Sequence, residues 1–312
     1  IKVLLFLLAG IYFFEKWDET NLILSQETKE SSILYPVMSK ASKPFGRDSK
    51  LFDSSFGWRF INPKLDALYG TEGMGSTAEN LVEKYNLSRE SQDQFALWSQ
   101  QKVFKSQEAG FFDDEICSVE IPQRKKDPIV FSKDEFNRPN TTIESLAKLK
   151  PAFKKDGSVT AGNSSGLNDG AAALLIASES GMKSQNLKPL VRIVSAAVAG
   201  VPPSIMGIGP VLASEKALKR AGLSLNDMDI LELNEAFSAQ VLACTKKMGI
   251  EENDPRINPN GGAIALGHPL GMSGARILLS AARQLHISKK RYALVAMCIG
   301  VGQGYATIIE RV

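Results

Sequence analysis

The chain has 312 residues, 44% of them hydrophobic, with a net charge of +3, two histidines and three cysteines. That length allows one large domain or two ordinary ones, and the composition is that of a globular chain, not a fibrous or disordered one. The weak, dispersed charge argues against a nucleic-acid binder. The cysteines, at unrelated spacings, form neither a disulfide framework nor a zinc pattern, which fits reduced thiols in the cytoplasm.

The chain opens on Ile1, and residues 3–14 are an apolar run. The run is too short to span a bilayer as a helix. Glu15-Lys-Trp-Asp18 follows, with no small-residue cleavage site, so a buried element or a segment foreign to the domain is expected instead of a membrane anchor. Residues 15–33 carry no usable pattern. Ser76-Thr-Ala-Glu79 reads as a capping box starting a helix over 78–84. Ser88, followed by Gln92, predicts a second helix over 88–109 that Gly110 closes. Residues 115–121 alternate like a strand, which would make Cys117 a packing residue.

From Ser158 the texture changes. A small-residue loop over 159–170 leads into an apolar run at 171–177 that reads as a buried strand. Strands are then expected at 191–198, 229–233, 292–297 and 305–310. Helices are expected at 211–221, closed by Gly222, and at 236–248, closed by Gly249. A further helix over 276–285 places Ile277, Ala281 and Leu285 on one stripe. Such alternation predicts a layered α/β fold.

Within the run Asn258-Pro-Asn-Gly-Gly-Ala-Ile-Ala-Leu-Gly-His268, glycines let backbone approach a bound group closely. The turn opens a helix, whose free N–H groups favour an anion or a developing oxyanion. The plain alternative for His268 is a buried structural histidine; for Asn234, ahead of a helix, it is an N-cap; for Cys298, it is a core thiol. All three nonetheless fall at strand–loop or loop–helix boundaries, where layered folds gather reactive groups. Gly300 to Gly304 is glycine-rich, but no helix follows, so a dinucleotide fingerprint is rejected. His286 needs only a helix C-terminus. Arg124-Lys-Lys126 and Lys154-Lys155 read as solvated surface, or as contacts to an anionic cofactor.

Taken together, Thr160-Ala-Gly-Asn-Ser-Ser-Gly-Leu-Asn-Asp-Gly170, Met206-Gly-Ile-Gly-Pro210, Asn234-Glu-Ala-Phe237, the His268 run through Arg276, and Cys298 to Gly304 closely resemble the thiolase family. The resemblance runs from about Tyr35 to Val312. Within the family, Phe56-Gly-Trp-Arg-Phe-Ile-Asn-Pro-Lys64, Ile121-Pro-Gln-Arg-Lys125 and Met297 to Gly304 look most like the 3-oxoadipyl-CoA thiolases.

The resemblance implies a five-layered αβαβα fold with its first half truncated. Residues 1–33 would be unmatched, 34–166 would cover coenzyme A, 167–188 would remain from the first half, and 189–312 would form the second half. It implies acyl transfer between a 3-oxoacyl-CoA and CoA, with acetyl-CoA or CoA as substrate and no permanently bound cofactor or metal. Cys298 would be the acid/base thiol. His268 would activate the nucleophile, Asn234 would hold the water of the first oxyanion hole, and Gly300 would supply an N–H to the second. Ser165 would touch the pantetheine arm and Met74 would line its pocket. Some members carry His just before that methionine, where this chain has Gly73.

The family's nucleophilic cysteine, followed by Gly and Ser, has no counterpart here, and neither Cys117 nor Cys244 sits in its context. The resemblance therefore implies an exposed apolar face on the second half, a tendency to aggregate, and no thiolytic activity from these residues alone. The family implies a homodimer or homotetramer and neither nucleic acid nor membrane as partner. The alternative is a non-catalytic acyl-CoA-binding or subunit-interaction paralogue, against which the retention of His268, Cys298 and Asn234 counts.

Overall fold

The computed structural model describes residues 23–26, 37–52 and 57–312. The apolar run at 3–14 lies outside the described residues. In chain order the elements begin with β1 (Ile23–Gln26), β2 (Val37–Met38), β3 (Leu51–Phe52), α1 (Pro63–Tyr69), α2 (Met74–Tyr85) and α3 (Arg89–Glu108). A hairpin of β4 (Val119–Gln123) and β5 (Lys126–Phe131) follows, then α4 (Ile143–Ala147), β6 (Ala173–Ile176) and α5 (Glu179–Gln185). The remainder is β7 (Val191–Gly200), α6 (Gly209–Ala221), β8 (Ile230–Leu233), α7 (Ser238–Met248), α8 (Ala263–Leu266), α9 (Ser273–Ser288), β9 (Tyr292–Ile299) and β10 (Gln303–Arg311).

The centre of the fold is a four-stranded sheet in the order β7-β10-β9-β8, in which β8 and β9 run parallel and the other pairs antiparallel. Its strands are apolar on both faces because helices cover both. Leu231 and Leu233 of β8, Leu294 and Ala296 of β9, and Ala306 and Ile308 of β10 share one core cluster with Ala213 and Ala217 of α6 and Val241 and Leu242 of α7. The alternate residues Ile230, Ala293, Val295, Met297 and Ile309 pack with Ile277, Ala281 and Leu285 of α9. The period of two along the strands and of 3.6 along α9 thus divides the residues between two layers. All three residues of the expected α9 stripe are buried. Ile277 and Leu285 each contribute about 1.5–3 kcal/mol by burial, and the methyl of Ala281 less.

Four expectations are corrected. The Ser76–Glu79 capping box does not form: α2 begins earlier, with Gly73 as an N-cap that has no side-chain bond. Glu79 is instead buried, and its carboxylate accepts from the backbone N–H of Ser158 (2.9 Å) and Val159 (2.8 Å), which ties α2 to the small-residue loop. The strand expected at 115–121 starts only at Val119, because the turns after α3 continue through residue 115. Cys117 therefore lies outside it and is exposed. The run expected as a buried strand becomes β6, whose residues alternate exposed and half-buried and which pairs antiparallel with β1. Asn234 is not an N-cap, since α7 starts four residues later with Phe237 in that position. Ser88, by contrast, caps α3 as expected, accepting from the Ser91 N–H at 3.0 Å, and Gly222 and Gly249 end α6 and α7 in the left-handed region. The short helix α8 inside the glycine-rich run was not anticipated.

Candidate active site

The site lies at the carboxyl ends of the parallel strands β8 and β9. The backbone N–H of Asn234 donates to the Ala296 carbonyl at 3.0 Å, extending the ladder one step past β8 and fixing Asn234 beside β9. Two residues beyond Ala296, Cys298 occupies the next position on the same face of β9. It packs with Met206, Ala236 and Phe237 in a buried cluster. The Asn234-Glu-Ala-Phe237 segment therefore supplies both a polar neighbour of His268 and the apolar wall behind the thiol.

His268 comes from the loop between α8 and α9. Its backbone N–H donates to the Gly166 carbonyl at 3.1 Å, and its ring is buried. Nε2 lies 3.2 Å from Asn234 Nδ2, and Nδ1 lies 2.6 Å from Ser273 Oγ. The Ser273 hydroxyl donates to the Pro269 carbonyl at 3.0 Å. With its one proton so used, Oγ accepts from Nδ1–H, which leaves the Nε2 lone pair to accept from Asn234 and to face the site. Burial, helped by the charge of Arg276, lowers the imidazole to about 4, so the ring is neutral at pH 7. Burial pushes the Cys298 thiol up to about 11, so it rests protonated and is an acid before it is a base.

The loop is held from beneath by Glu235, a buried carboxylate that accepts from Ser99 Oγ of α3 (2.6 Å), Asn258 Nδ2 (2.7 Å) and the Ile264 N–H of α8 (3.1 Å). Asn258 also bridges the end of β8, accepting from the Leu233 N–H at 2.8 Å and donating to the Leu233 carbonyl at 2.9 Å. A Cβ on Gly262 would stand 2.4 Å from the Glu235 carboxyl carbon, so that position requires glycine. Gly267, at φ +91°, requires it for conformation as well as for space: its Cβ would meet Asn168 Oδ1 at 2.3 Å.

The structure brings Asn234 and His268 into direct contact and sets Cys298 behind the same segment. Among the described residues, no hydrogen bond joins Cys298 to His268. Gly300 follows Cys298, and Met74 reaches it: a Cβ on Gly300 would lie 3.1 Å from Met74 Cε. Ser165 donates both its N–H and its hydroxyl to the Ala236 carbonyl, each at 3.0 Å, which seats the small-residue loop on the Asn234–Phe237 segment. Cys244 is apart from the site, on α7, with its thiol donating to the Gly207 carbonyl at 3.2 Å and pushed by burial up to about 12. Sequence reasoning missed Ser273, Glu235 and Asn258. The available signal was a glutamate at the junction between an apolar strand and an apolar helix, where an unpaired charge would be costly.

Residues 40–180 match the family described as thiolase, N-terminal domain, and residues 187–311 match thiolase, C-terminal domain. The chain is 53% identical over 297 residues to a beta-ketoadipyl-CoA thiolase of Acinetobacter baylyi, covering 95% of this chain and 74% of that protein. It is equally similar, over the same shares, to the 3-oxoadipyl-CoA/3-oxo-5,6-dehydrosuberyl-CoA thiolase of Escherichia coli K12. The crystal structure of human mitochondrial 3-ketoacyl-CoA thiolase superimposes with a TM-score of 0.83 at 43% identity, over 94% of this chain and 72% of that one. The same human enzyme in complex with CoA gives 0.82 at 42%, over 94% and 71%. Both halves of the family are thus represented, and the chain belongs to the thiolase family of acyltransferases.

Proposed function

We propose that this chain carries the acid/base half of a thiolase site acting on 3-oxoadipyl-CoA or a closely related 3-oxoacyl-CoA, in the cytoplasm and as a homodimer or homotetramer. The observation that supports it best is the direct Asn234–His268 contact beside Cys298, at the ends of two parallel strands. Coenzyme A and acetyl-CoA enter as substrates. No resident cofactor or metal is needed.

In the cleavage direction the nucleophilic thiol, which the N-terminal residues of the family supply and these residues do not, adds to C3 and keeps the acyl group as a thioester, while the bond between C2 and C3 breaks and its electron pair passes into an acetyl-CoA enolate. The protonated Cys298 thiol gives its proton to that carbon, and in condensation the thiolate takes one back. Enolate charge on the thioester oxygen falls to the water that Asn234 holds, and to His268 once Nε2 has taken up a proton. Gly300 N–H faces the tetrahedral oxyanion of acyl transfer. The Nε2 lone pair of His268 serves as the base toward an attacking thiol. Ser165 and Met74 bound the arm of CoA. Neither Cys117, exposed outside the site, nor Cys244, buried and bonded to Gly207, supplies the thiol that would be acylated.

The test is thiolysis of 3-oxoadipyl-CoA by CoA, with acetyl-CoA as the readout. It is run on these 312 residues and on the same chain fused behind the corresponding N-terminal residues of the Acinetobacter baylyi relative. The fused chain is expected to release acetyl-CoA, and Cys298→Ala within it to abolish release. The unfused chain is expected to be silent. A fused, folded chain that cleaves nothing would overturn the proposal.

A further inference from the structure

The cover over Cys298 comes from two distant parts of the chain. Ala78 of α2 and Val159 of the small-residue loop both belong to the buried cluster that holds the thiol. The helix is fixed independently of that loop. Leu81 packs in the separate cluster around Cys244, and Asn80 Nδ2 donates to the Ser204 carbonyl at 2.9 Å. The loop is a tight turn with no helix or strand of its own at Val159, so what holds it to α2 decides how well the thiol is sealed.

Glu79 makes that connection. It follows Ala78 directly and is buried. Its Oε1 accepts from the backbone N–H of Ser158 at 2.9 Å and of Val159 at 2.8 Å, and Oε2 accepts from Ser158 at 3.2 Å. Bonds from backbone N–H to an ionised carboxylate are stronger than those between neutral groups. Ser158 has a second support, since Gln92 Nε2 donates to its hydroxyl at 2.9 Å. Among the described residues the Val159 N–H has Glu79 alone. The turn is shaped around the carboxylate: the Ala152 N–H donates to the Val159 carbonyl at 2.9 Å, and a Cβ on Gly157 would stand 2.3 Å from Glu79 Oε1.

We propose that Glu79 is a positioning residue of the acid/base step, fastening the Ser158–Val159 backbone to α2 and so keeping the Cys298 thiol sealed from solvent. The inference rests on the thiolase reading of Cys298 and extends it to a residue that acts through Val159. Burial is what keeps this thiol protonated at neutral pH, so a loosened loop weakens its hold on the proton that the enolate carbon receives.

Alkylation of the 312 residues by iodoacetamide under native conditions, followed thiol by thiol by peptide mass spectrometry, tests it. In Glu79→Met, Cys298 is expected to react about tenfold faster than in the unaltered chain, the effect of losing one charged hydrogen-bonded contact, with Cys244 unchanged. Glu79→Gln keeps a carbonyl oxygen that can take both N–H groups and should stay near the unaltered rate. Gly157→Ala crowds the carboxylate from the loop side, should reproduce Glu79→Met, and carries the test if that variant does not fold. An unchanged Cys298 rate in Glu79→Met and Gly157→Ala, or Cys298 and Cys244 rising together, overturns the assignment. In the fused chain, Glu79→Met should also move the alkaline limb of kcat to lower pH, and an unmoved limb overturns the positioning role. A fused parent chain that cleaves nothing overturns the thiolase reading instead, whatever the thiols do.

Discussion

Ser273 Oγ stands 2.6 Å from His268 Nδ1, at the first residue of α9 and one turn beyond Pro269, whose carbonyl takes the serine proton. The imidazole is thus oriented by the helix that follows its own loop. Ser273→Ala should leave the fold intact and release the tautomer. With only two histidines in the chain, nitrogen NMR can follow the ring directly, His268→Ala serving to assign it. The unaltered protein should show Nδ1 protonated and Nε2 bare, and the variant a mixture. In the fused, active chain the same change should lower kcat by about tenfold or more. A variant with an unchanged tautomer would show that Ser273 is not what sets the ring.

Two buried groups give stability opposite dependences on pH. His268 is held at about 4 against an ordinary 6.5. Between those values the unfolded chain binds a proton that the folded one does not. Its contribution, up to about 3 kcal/mol, is present above 6.5 and lost as the pH falls toward 4. Glu232 is fully buried and, through desolvation opposed by Arg276, is raised from 4.5 to about 8. Its contribution is full below 4.5 and lost as the pH rises through 8. Glu232→Gln should therefore stabilise the chain at pH 8 by about 1–3 kcal/mol and much less at pH 5. Denaturant unfolding at the two pH values measures this, and a variant less stable at pH 8 would refute it.

Glu235 is predicted to be structural before it is catalytic. Glu235→Ala removes the acceptor for Ser99, Asn258 and the Ile264 N–H and leaves three buried donors without partners. A loss of about 3–5 kcal/mol is expected by chemical denaturation, far beyond an ordinary surface change. Loss of the His268 NMR signature of the folded loop should accompany it. A cost below 1 kcal/mol would mean that water replaces the carboxylate.

The three thiols should separate by reactivity. Cys117 is exposed and should alkylate first, whereas Cys244 and Cys298 are buried with thiols pushed well above neutral pH. After treatment of the 312-residue chain with acetyl-CoA, intact mass should show no acetyl adduct. An adduct mapped to Cys244 would overturn its exclusion from acyl transfer.

Sequence periodicity located the sheet and its helices well because both faces of β8, β9 and β10 are covered, so apolar runs and glycine stops coincide with real boundaries. It misplaced the start of α2 because a Ser-x-x-Glu pattern says nothing about where the glutamate is used. Glu79 bonds a loop nearly eighty residues away rather than its own helix end. The plain alternative for Asn234, an N-cap, fails for the same reason: local preference is overridden by its ladder bond to Ala296. The roles of Ser273 and Asn258 rest on contacts made through space, which spacing along the chain does not encode.

The alternation that sends Leu294 and Ala296 toward α6 and α7, and Ala293, Val295 and Met297 toward α9, does not stop at the edge of the hydrophobic core. Cys298 is the next residue in the first series. Its side of the sheet is thus decided by strand parity before the glycine-rich loop begins. Inserting one residue into β9 would exchange the thiol for a thioether at the same place, with every letter of the motif still present.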